Sequence, residues 1–565
     1  MEKPWLQSYP PGVPADIDLS DGATLVSVFE EATGRWSDRP AFACMGRTLS
    51  FAELDGLSAA FAAWLTSQPG LAGGARVAVM LPNVLQYPVA LFGALRAGMT
   101  VVNVNPLYTP RELRHQLVDS GAEVIVILAN FAATLEQAVT GTSLRHVVVT
   151  DIGDLLGFPK GPITNLAVRR LKKLVPAYHL PGHLRLGRVL AQGRRTTPRP
   201  VGVRQEDIAF LQYTGGTTGV SKGAMLTHRN MVANLRQMRA WIGPMIDAGR
   251  ETVITALPLY HVFSLVCNCL LFVSAGGLNV LVTNPRDIPG FVRELARWRF
   301  TSFTGVNTLY SALLQHPSFA ELDFSHLKWA AAGGMALQRS VAERWHATTG
   351  VTVQEGYGLT ETSPVVTMQP PALAEVFTGT VGLPLPSTEV AIRDEMGRAV
   401  PPGEAGELCV RGPQVMKGYW QRPEATAEVM HADGFLRTGD IAILDDAGFV
   451  RIVDRQKDMI LVSGFNVYPS EVESVLSMHP GILEAACIGV ADARSTEAVK
   501  VYVVPRFGEA LTAEEVISHC RQQLAAYKVP RHVEFRTELP KSNVGKILRR
   551  ALRDEAGSRA GAESA

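Results

Sequence analysis

Cysteine is scarce: six in 565 residues, none in a CxxC pair. Cys267 and Cys269 stand two apart in an apolar run, and Cys44, Cys409, Cys487 and Cys520 are scattered. This pattern argues against a disulfide framework or zinc site and reads as buried, reduced thiols in a cytoplasmic protein. Charge of one sign is also missing overall. The formal net charge is +1, so global charge implies no nucleic-acid partner. Long apolar runs are short of a membrane span. The greasiest stretch, 261–277, holds two serines and an asparagine and is expected to be a buried core helix. The first residues carry no apolar h-region, so no signal peptide is expected. Internal repeats and low-complexity blocks are absent as well.

What is present is globular. Apolar residues are 47% and charged residues 19% of a chain too long for one core, which predicts two or three domains. Apolar runs at 76–84, 100–106, 122–128 and 146–150 read as buried strands, with helical patterns at 86–98 and 110–121 between them. The alternation returns at 251–258, 278–284 and 327–334. Continuous apolar strands separated by helices predict parallel α/β sheets covered on both faces. From about 385 to 453 short strands with turn signals predict a β-rich subdomain. The remainder predicts a small α+β domain, and the Ala/Gly/Ser/Glu-rich tail after Leu552 is expected to fray. The expected division is therefore an N-terminal domain over 1–453, a hinge at 454–457 and a mobile C-terminal domain over 458–565.

One segment departs from charge balance. Residues 155–205 contain no Asp or Glu and carry +11, leaving −10 on the rest. Leu171, Leu174, Val175, Tyr178, Leu180 and Leu184 are mixed among the bases. Such a mixture suits an anionic membrane surface, so peripheral contact with the cytoplasmic face of a membrane is an expectation from the sequence.

The strongest chemical signal is the loop from Tyr213 through Thr214, Gly215, Gly216, Thr217, Thr218, Gly219 and Ser221 to Lys222 and Gly223. Glycines let backbone N–H groups approach phosphate oxygens, hydroxyls add donors, and the lysine adds positive charge. It is neither of two common nucleotide loops. The only Gly-Lys pair, Gly545-Lys546, is followed by Ile547 rather than Ser or Thr, and the 215–219 run does not fit GxGxxG.

Further motifs follow in order: Pro258 to Phe263 around His261, then Gly333-Gly334-Met335, then Tyr357-Gly358-Leu359-Thr360-Glu361. After them come Arg437 to Asp440, Asp454-Arg455-Gln456-Lys457, Gly464-Phe465, and Pro540 to Lys546. With the 213–223 loop, these motifs resemble the adenylate-forming superfamily of acyl-CoA synthetases, luciferases and peptide-synthetase adenylation domains. Within it the chain closely resembles bacterial long-chain fatty-acid–CoA ligases, from about residue 20 to 553. Ser221, where many members have proline, and the Gly215-Gly216 pair are at home in that branch.

The resemblance implies ATP-dependent activation of a long-chain fatty acid through an acyl-adenylate, feeding β-oxidation or lipid synthesis, with Mg²⁺ and coenzyme A. Ligases for medium-chain or aryl acids, or an adenylate-only ligase, are the alternatives. It assigns phosphate binding to the 213–223 loop and the metal to Glu361, with Thr360 at the phosphate. Adenine falls to Gly334, Met335 and Tyr357, and ribose to Asp440 and Arg455. His261 lies beside the carboxylate, Gly464 and Phe465 line the pantetheine path, Lys457 is the pivot, and Lys546 is the catalytic lysine. An acyl tunnel is expected along Val306, Asn307, Tyr310, Met335 and Tyr357. A homodimer is compatible with the resemblance. The chemistry needs these types. A carboxylate attacking a polyanion requires fixed positive charge where the transition state develops negative charge. The later attack by the CoA thiolate needs no cysteine from the protein.

Overall fold

The computed structural model describes residues 3–197, 199, 201–214, 221–371, 376–463, 465–492, 495–506, 508, 510–542 and 545–563. Among these, the strands form sheets of seven, nine, four and five. The seven-stranded sheet is parallel through Leu184–Arg185, His146–Thr150, Val124–Leu128, Arg76–Met80, Thr100–Asn103 and Ile208–Thr214. It closes on an antiparallel edge strand, Lys222–Thr227. The nine-stranded sheet has a parallel middle that runs from Val353–Gly358 to Pro40–Cys44. The sequence-predicted strands at 76, 100, 122, 146, 251, 278 and 327 all fall in these two sheets, and the α/β expectation holds.

One continuous core joins the two sheets. It takes Val77, Val101 and Phe210 from one, Phe42, Leu281 and Trp329 from the other. Helices between them are apolar nearly all round, as a central layer requires. In Gln86–Arg96 every residue but the last is buried. The apolar run at 261–277 is the buried helix its composition predicts, but its middle, Leu265–Leu270, is π-helical. Asn268 explains the distortion. Its buried amide donates to Ile254 O at 3.2 Å and accepts from Thr304 Oγ1 at 2.9 Å, so the widened turn satisfies a polar group that an apolar helix would strand. Among the described residues, no helix is long and apolar enough to cross a membrane.

The four-stranded antiparallel sheet spans Glu389–Arg393 to Val450–Arg455. The C-terminal five-stranded sheet carries helices Pro469–Ser477 and Ala513–Arg521. The tail differs from expectation: Arg549–Glu563 is helical. Its first turns are held from outside, by burial of Leu552, an Arg553–Asp458 bridge of 2.8 Å and an Arg536–Glu555 bridge of 2.8 Å. Composition alone did not reveal these contacts.

Candidate active site

Asp440 and Arg455 are direct partners across the antiparallel strands Leu436–Leu444 and Val450–Arg455. The pairing puts both side chains on one face, with Arg455 Nε 3.2 Å from Asp440 Oδ1. Tyr357, at the end of Val353–Gly358, donates its hydroxyl to Asp440 Oδ2 at 2.6 Å. Burial and the Asp440 charge raise its phenol well above the ordinary value. The next residue must be glycine: a Cβ on Gly358 would sit 1.8 Å from Pro364 O. Asp440, Arg455 and Lys457 line one cavity.

Lys546 reaches the same charges from the C-terminal domain. Burial, then repulsion from Arg455, lowers its ammonium to about 8, and Asp440 opposes the shift. Its loop is seated by Thr308 Oγ1, which donates to Gly545 O at 3.2 Å, and by Ser542 Oγ, which accepts from Lys546 N at 3.1 Å. Gly545 has φ +82°, and a Cβ there would meet Thr308 Oγ1 at 2.6 Å. Only glycine allows this approach.

A second, largely apolar cavity begins at Tyr357 and Thr360 and runs past Phe263, Cys267, Trp329 and Met368. His261 lines it too. Burial, reinforced by the Lys546 charge, lowers its imidazole to about 4, so it is neutral at neutral pH. Gly333 and Gly334 form part of the wall, with Gly334 at φ +78°. Behind them buried Glu355 accepts Leu337 N–H at 3.1 Å, and burial raises its carboxyl to about 8, which keeps it protonated. Of the residues expected along the acyl tunnel, Tyr357 lines this cavity, and Val306, Asn307, Tyr310 and Met335 do not. Tyr310 is fully buried under Gly305 and donates to Ala331 O at 2.7 Å, and Asn307 accepts Gln338 N–H at 2.9 Å. Both belong to the packing beside the sheet.

Glu361 and Lys222 meet through a residue the sequence reading passed over. Tyr419 Oη donates to Glu361 Oε1 at 2.7 Å, and the same ring lies 5.2 Å from Lys222 Nζ. Lys222 opens an antiparallel hairpin opposite Thr214. Tyr213 turns its hydroxyl to Asp119 Oδ2 at 2.7 Å, while Arg422 holds Asp119 Oδ1 at 2.5 Å. Asp119 thus ties the base of the loop to the turn that carries Tyr419. The only signal for Tyr419 was Gly418-Tyr419-Trp420 in a polar stretch, which reads as a turn. Gly215, Gly216, Thr217, Thr218, Gly219 and Gly464 lie outside the described residues.

A family model described as AMP-binding enzyme matches residues 29–420, and its C-terminal domain model matches 471–546. The chain belongs to the AMP-binding enzyme family. Relatives of this AMP-binding enzyme include the long-chain-fatty-acid–CoA ligase of Salmonella typhimurium, 58% identical over 98% of this chain and 99% of that one. The long-chain-fatty-acid–CoA ligase of Yersinia pestis is also 58% identical, over 98% of each. Among solved structures, the anthranilate CoA ligase AuaEII in complex with anthranoyl-AMP superposes with a TM-score of 0.86 at 26% identity, covering 96% of this chain and all of that one.

Two other residues assigned in the AMP-binding enzyme are Phe465, which lines neither cavity, and Lys457, which lines the charged one. Phe465 is exposed and stacks on Tyr527 at 4.8 Å. Lys457 lies in the turn Gln456–Asp458, lowered chiefly by burial. Around it Asp454 accepts from Ser470 Oγ at 2.7 Å and pairs with Arg549 at 3.0 Å, and Asp458 pairs with Arg549 and Arg553. Among the described residues, no group of three or more His, Cys, Asp or Glu could hold a metal ion.

Proposed function

We propose that this enzyme ligates long-chain fatty acids to coenzyme A in two steps. The observation that carries the reading is the meeting of an apolar cavity, ending at His261 and Tyr357, with the charged cluster of Asp440, Arg455 and Lys546. A fatty tail fills the first, and a nucleotide answers the second.

In the first step a carboxylate oxygen attacks the α-phosphorus of ATP, the bond to the β-phosphate oxygen breaks, and pyrophosphate leaves. Asp440 accepts the ribose hydroxyls, Arg455 orients that carboxylate, and Tyr357 packs against adenine beside Gly334 and Met335. Lys546 and Lys222 place positive charge at the α-phosphate and the leaving group, and Thr360 donates to phosphate. Neutral His261 packs at the carboxylate without adding charge. A Mg²⁺ ion would supply Lewis-acid neutralisation of the phosphates. Glu361 alone fits it, because Mg²⁺ is commonly held by one or two carboxylates with substrate phosphates completing the shell. Tyr419 occupies Oε1 and leaves Oε2 of Glu361 for that purpose.

In the second step the CoA thiolate attacks the acyl carbon and AMP leaves. Lys546 then has to give up its place. Rotation of residues 458–565 about Lys457 achieves this, with Gly464 and Phe465 brought to the pantetheine. We extend the proposal to contact between the basic segment 155–205 and an anionic membrane, where such a substrate resides.

The test follows AMP and acyl-CoA together across a series of saturated and aromatic acids. A maximum on long saturated chains supports the reading. Activity confined to short or aryl acids overturns the substrate, and pyrophosphate without acyl-CoA overturns the second step. Lys457→Pro should keep pyrophosphate release and lose acyl-CoA. Normal acyl-CoA output would remove the pivot.

A further inference from the structure

Helix Lys160–Leu166 and the π-helical turn Ala167–Leu171 turn an apolar face to solvent. Phe158 is 91% exposed, Leu171 80%, Ile163 62%, Leu166 60% and Leu174 54%. Scattered single apolar residues on a surface need no explanation, but a contiguous set does. Ile163 and Leu166 share a helical face, and the π turn's wider repeat brings Leu171 round beneath Leu166.

The surrounding charge is of two kinds. Arg169 and Arg185 are spent on the fold: both bridge to buried Asp151, Arg169 Nη2 at 2.6 Å. Arg204 pairs with Asp207 at 3.1 Å. Lys160, Arg170, Lys172 and Lys173 are exposed, and no ion pair to them occurs among the described residues. The element is also rigidly seated. Asn165 accepts Gly153 N–H at 2.8 Å and donates to Asp154 at 3.0 Å. A Cβ on Gly161 would lie 2.5 Å from Gly153 O, so helix and loop pack backbone to backbone.

We infer that this preformed face inserts into an anionic lipid surface. Phe158, Ile163, Leu166 and Leu171 enter the headgroup–acyl boundary, while Arg170, Lys172 and Lys173 meet lipid phosphates. Charge complementarity selects this occupant. A second copy docked on the same face about a two-fold axis would set these cations against themselves. A nucleic-acid backbone would leave Phe158 and Leu171 in water. An anionic bilayer satisfies both chemistries, as amphipathic interfacial helices do. The inference deepens the membrane contact proposed above, replacing adsorption of charge by insertion of a defined face.

The full chain is mixed, without ATP or CoA, with sedimentable vesicles of phosphatidylcholine alone or with phosphatidylglycerol. Three proteins are compared: wild type, Phe158→Ser/Leu171→Ser, and Arg170→Gln/Lys172→Gln/Lys173→Gln. The wild type should bind the anionic vesicles and keep part of that binding in high salt. The apolar pair should lose roughly tenfold or more of the partitioning, since two large side chains no longer leave water. The cation triple should lose the preference for anionic lipid. Both variants should adenylate a short, water-soluble acid at the wild-type rate, which shows that they are folded. An apolar pair that binds like wild type, with all binding abolished by salt, overturns insertion and leaves the membrane contact standing. No binding by wild type overturns both. Lipid-free self-association that the apolar pair abolishes assigns the face to a second copy and also overturns the inference.

Discussion

Tyr419 holds Glu361 and Lys222 at once: its hydroxyl donates to Glu361 Oε1 at 2.7 Å and its ring faces Lys222 Nζ at 5.2 Å. One side chain thereby fixes the distance between the proposed metal carboxylate and the proposed phosphate lysine. Tyr419→Phe keeps the ring and removes the hydrogen bond. A hydrogen bond to a charged group is worth about 1.5–3 kcal/mol, so adenylation should fall roughly tenfold or more. The Mg²⁺ concentration for half-maximal pyrophosphate release should rise with it. An unchanged Mg²⁺ dependence would leave Tyr419 a packing residue only.

Lys546 sets a pH limit on the first step. Its ammonium is lowered to about 8 by burial and by Arg455, so it is charged at neutral pH and loses its proton as pH rises through about 8. Single-turnover adenylation should fall across that range, while thioester formation from supplied acyl-adenylate should not. Lys546→Ala should cost about 10²–10³ in adenylation, the usual effect of removing one such stabiliser, and should abolish this alkaline limb. If the limb persists in the variant, another group titrates there.

Gly545 is the position where backbone freedom and close approach coincide. Gly545→Ala meets both a positive φ of +82° and Thr308 Oγ1 at 2.6 Å. The left-handed backbone costs about 1–2 kcal/mol, and the contact adds to it. The loop bearing Lys546 should shift, lowering adenylation about tenfold with the melting temperature nearly unchanged. Adding Thr308→Ala should recover part of the loss. A large drop in melting temperature would instead mark Gly545 as structural.

The apolar cavity should set chain length from its interior wall. Cys267 is a small buried residue on the π-helical turn and lines that cavity. Cys267→Phe fills space a substrate tail would occupy, and overpacking costs about 1–3 kcal/mol for acids that must displace it. Preference should move toward shorter chains in a kcat/KM series. A uniform loss on all acids would place the tail elsewhere. The obvious alternative, Tyr310, should not alter chain preference, because it lies in the core.

Local pattern made much of the molecule readable. Continuous apolar strands alternating with helices specified parallel sheets, because a strand buried on both faces has no polar side to show. The 213–223 loop and the order of later motifs pointed to adenylate chemistry, because phosphate binding needs glycine, hydroxyl and lysine close together in sequence. The +11 segment was visible by composition. Tertiary structure decided what depends on distant partners. Arg169 is bound to Asp151 while Arg170 is exposed, and nothing local separates two adjacent arginines. Tyr419 lies 58 residues from Glu361, so only packing of the two turns brings them together. The tunnel expected along Tyr310 lost that residue to the core because its hydroxyl donates to Ala331 O and its ring packs edge-on to Trp345, both from later segments of the chain. The helical tail formed because Asp458 and Arg536 reach it from elsewhere in the chain. Residue type sets what chemistry is available locally, and packing between remote segments decides which side chains meet.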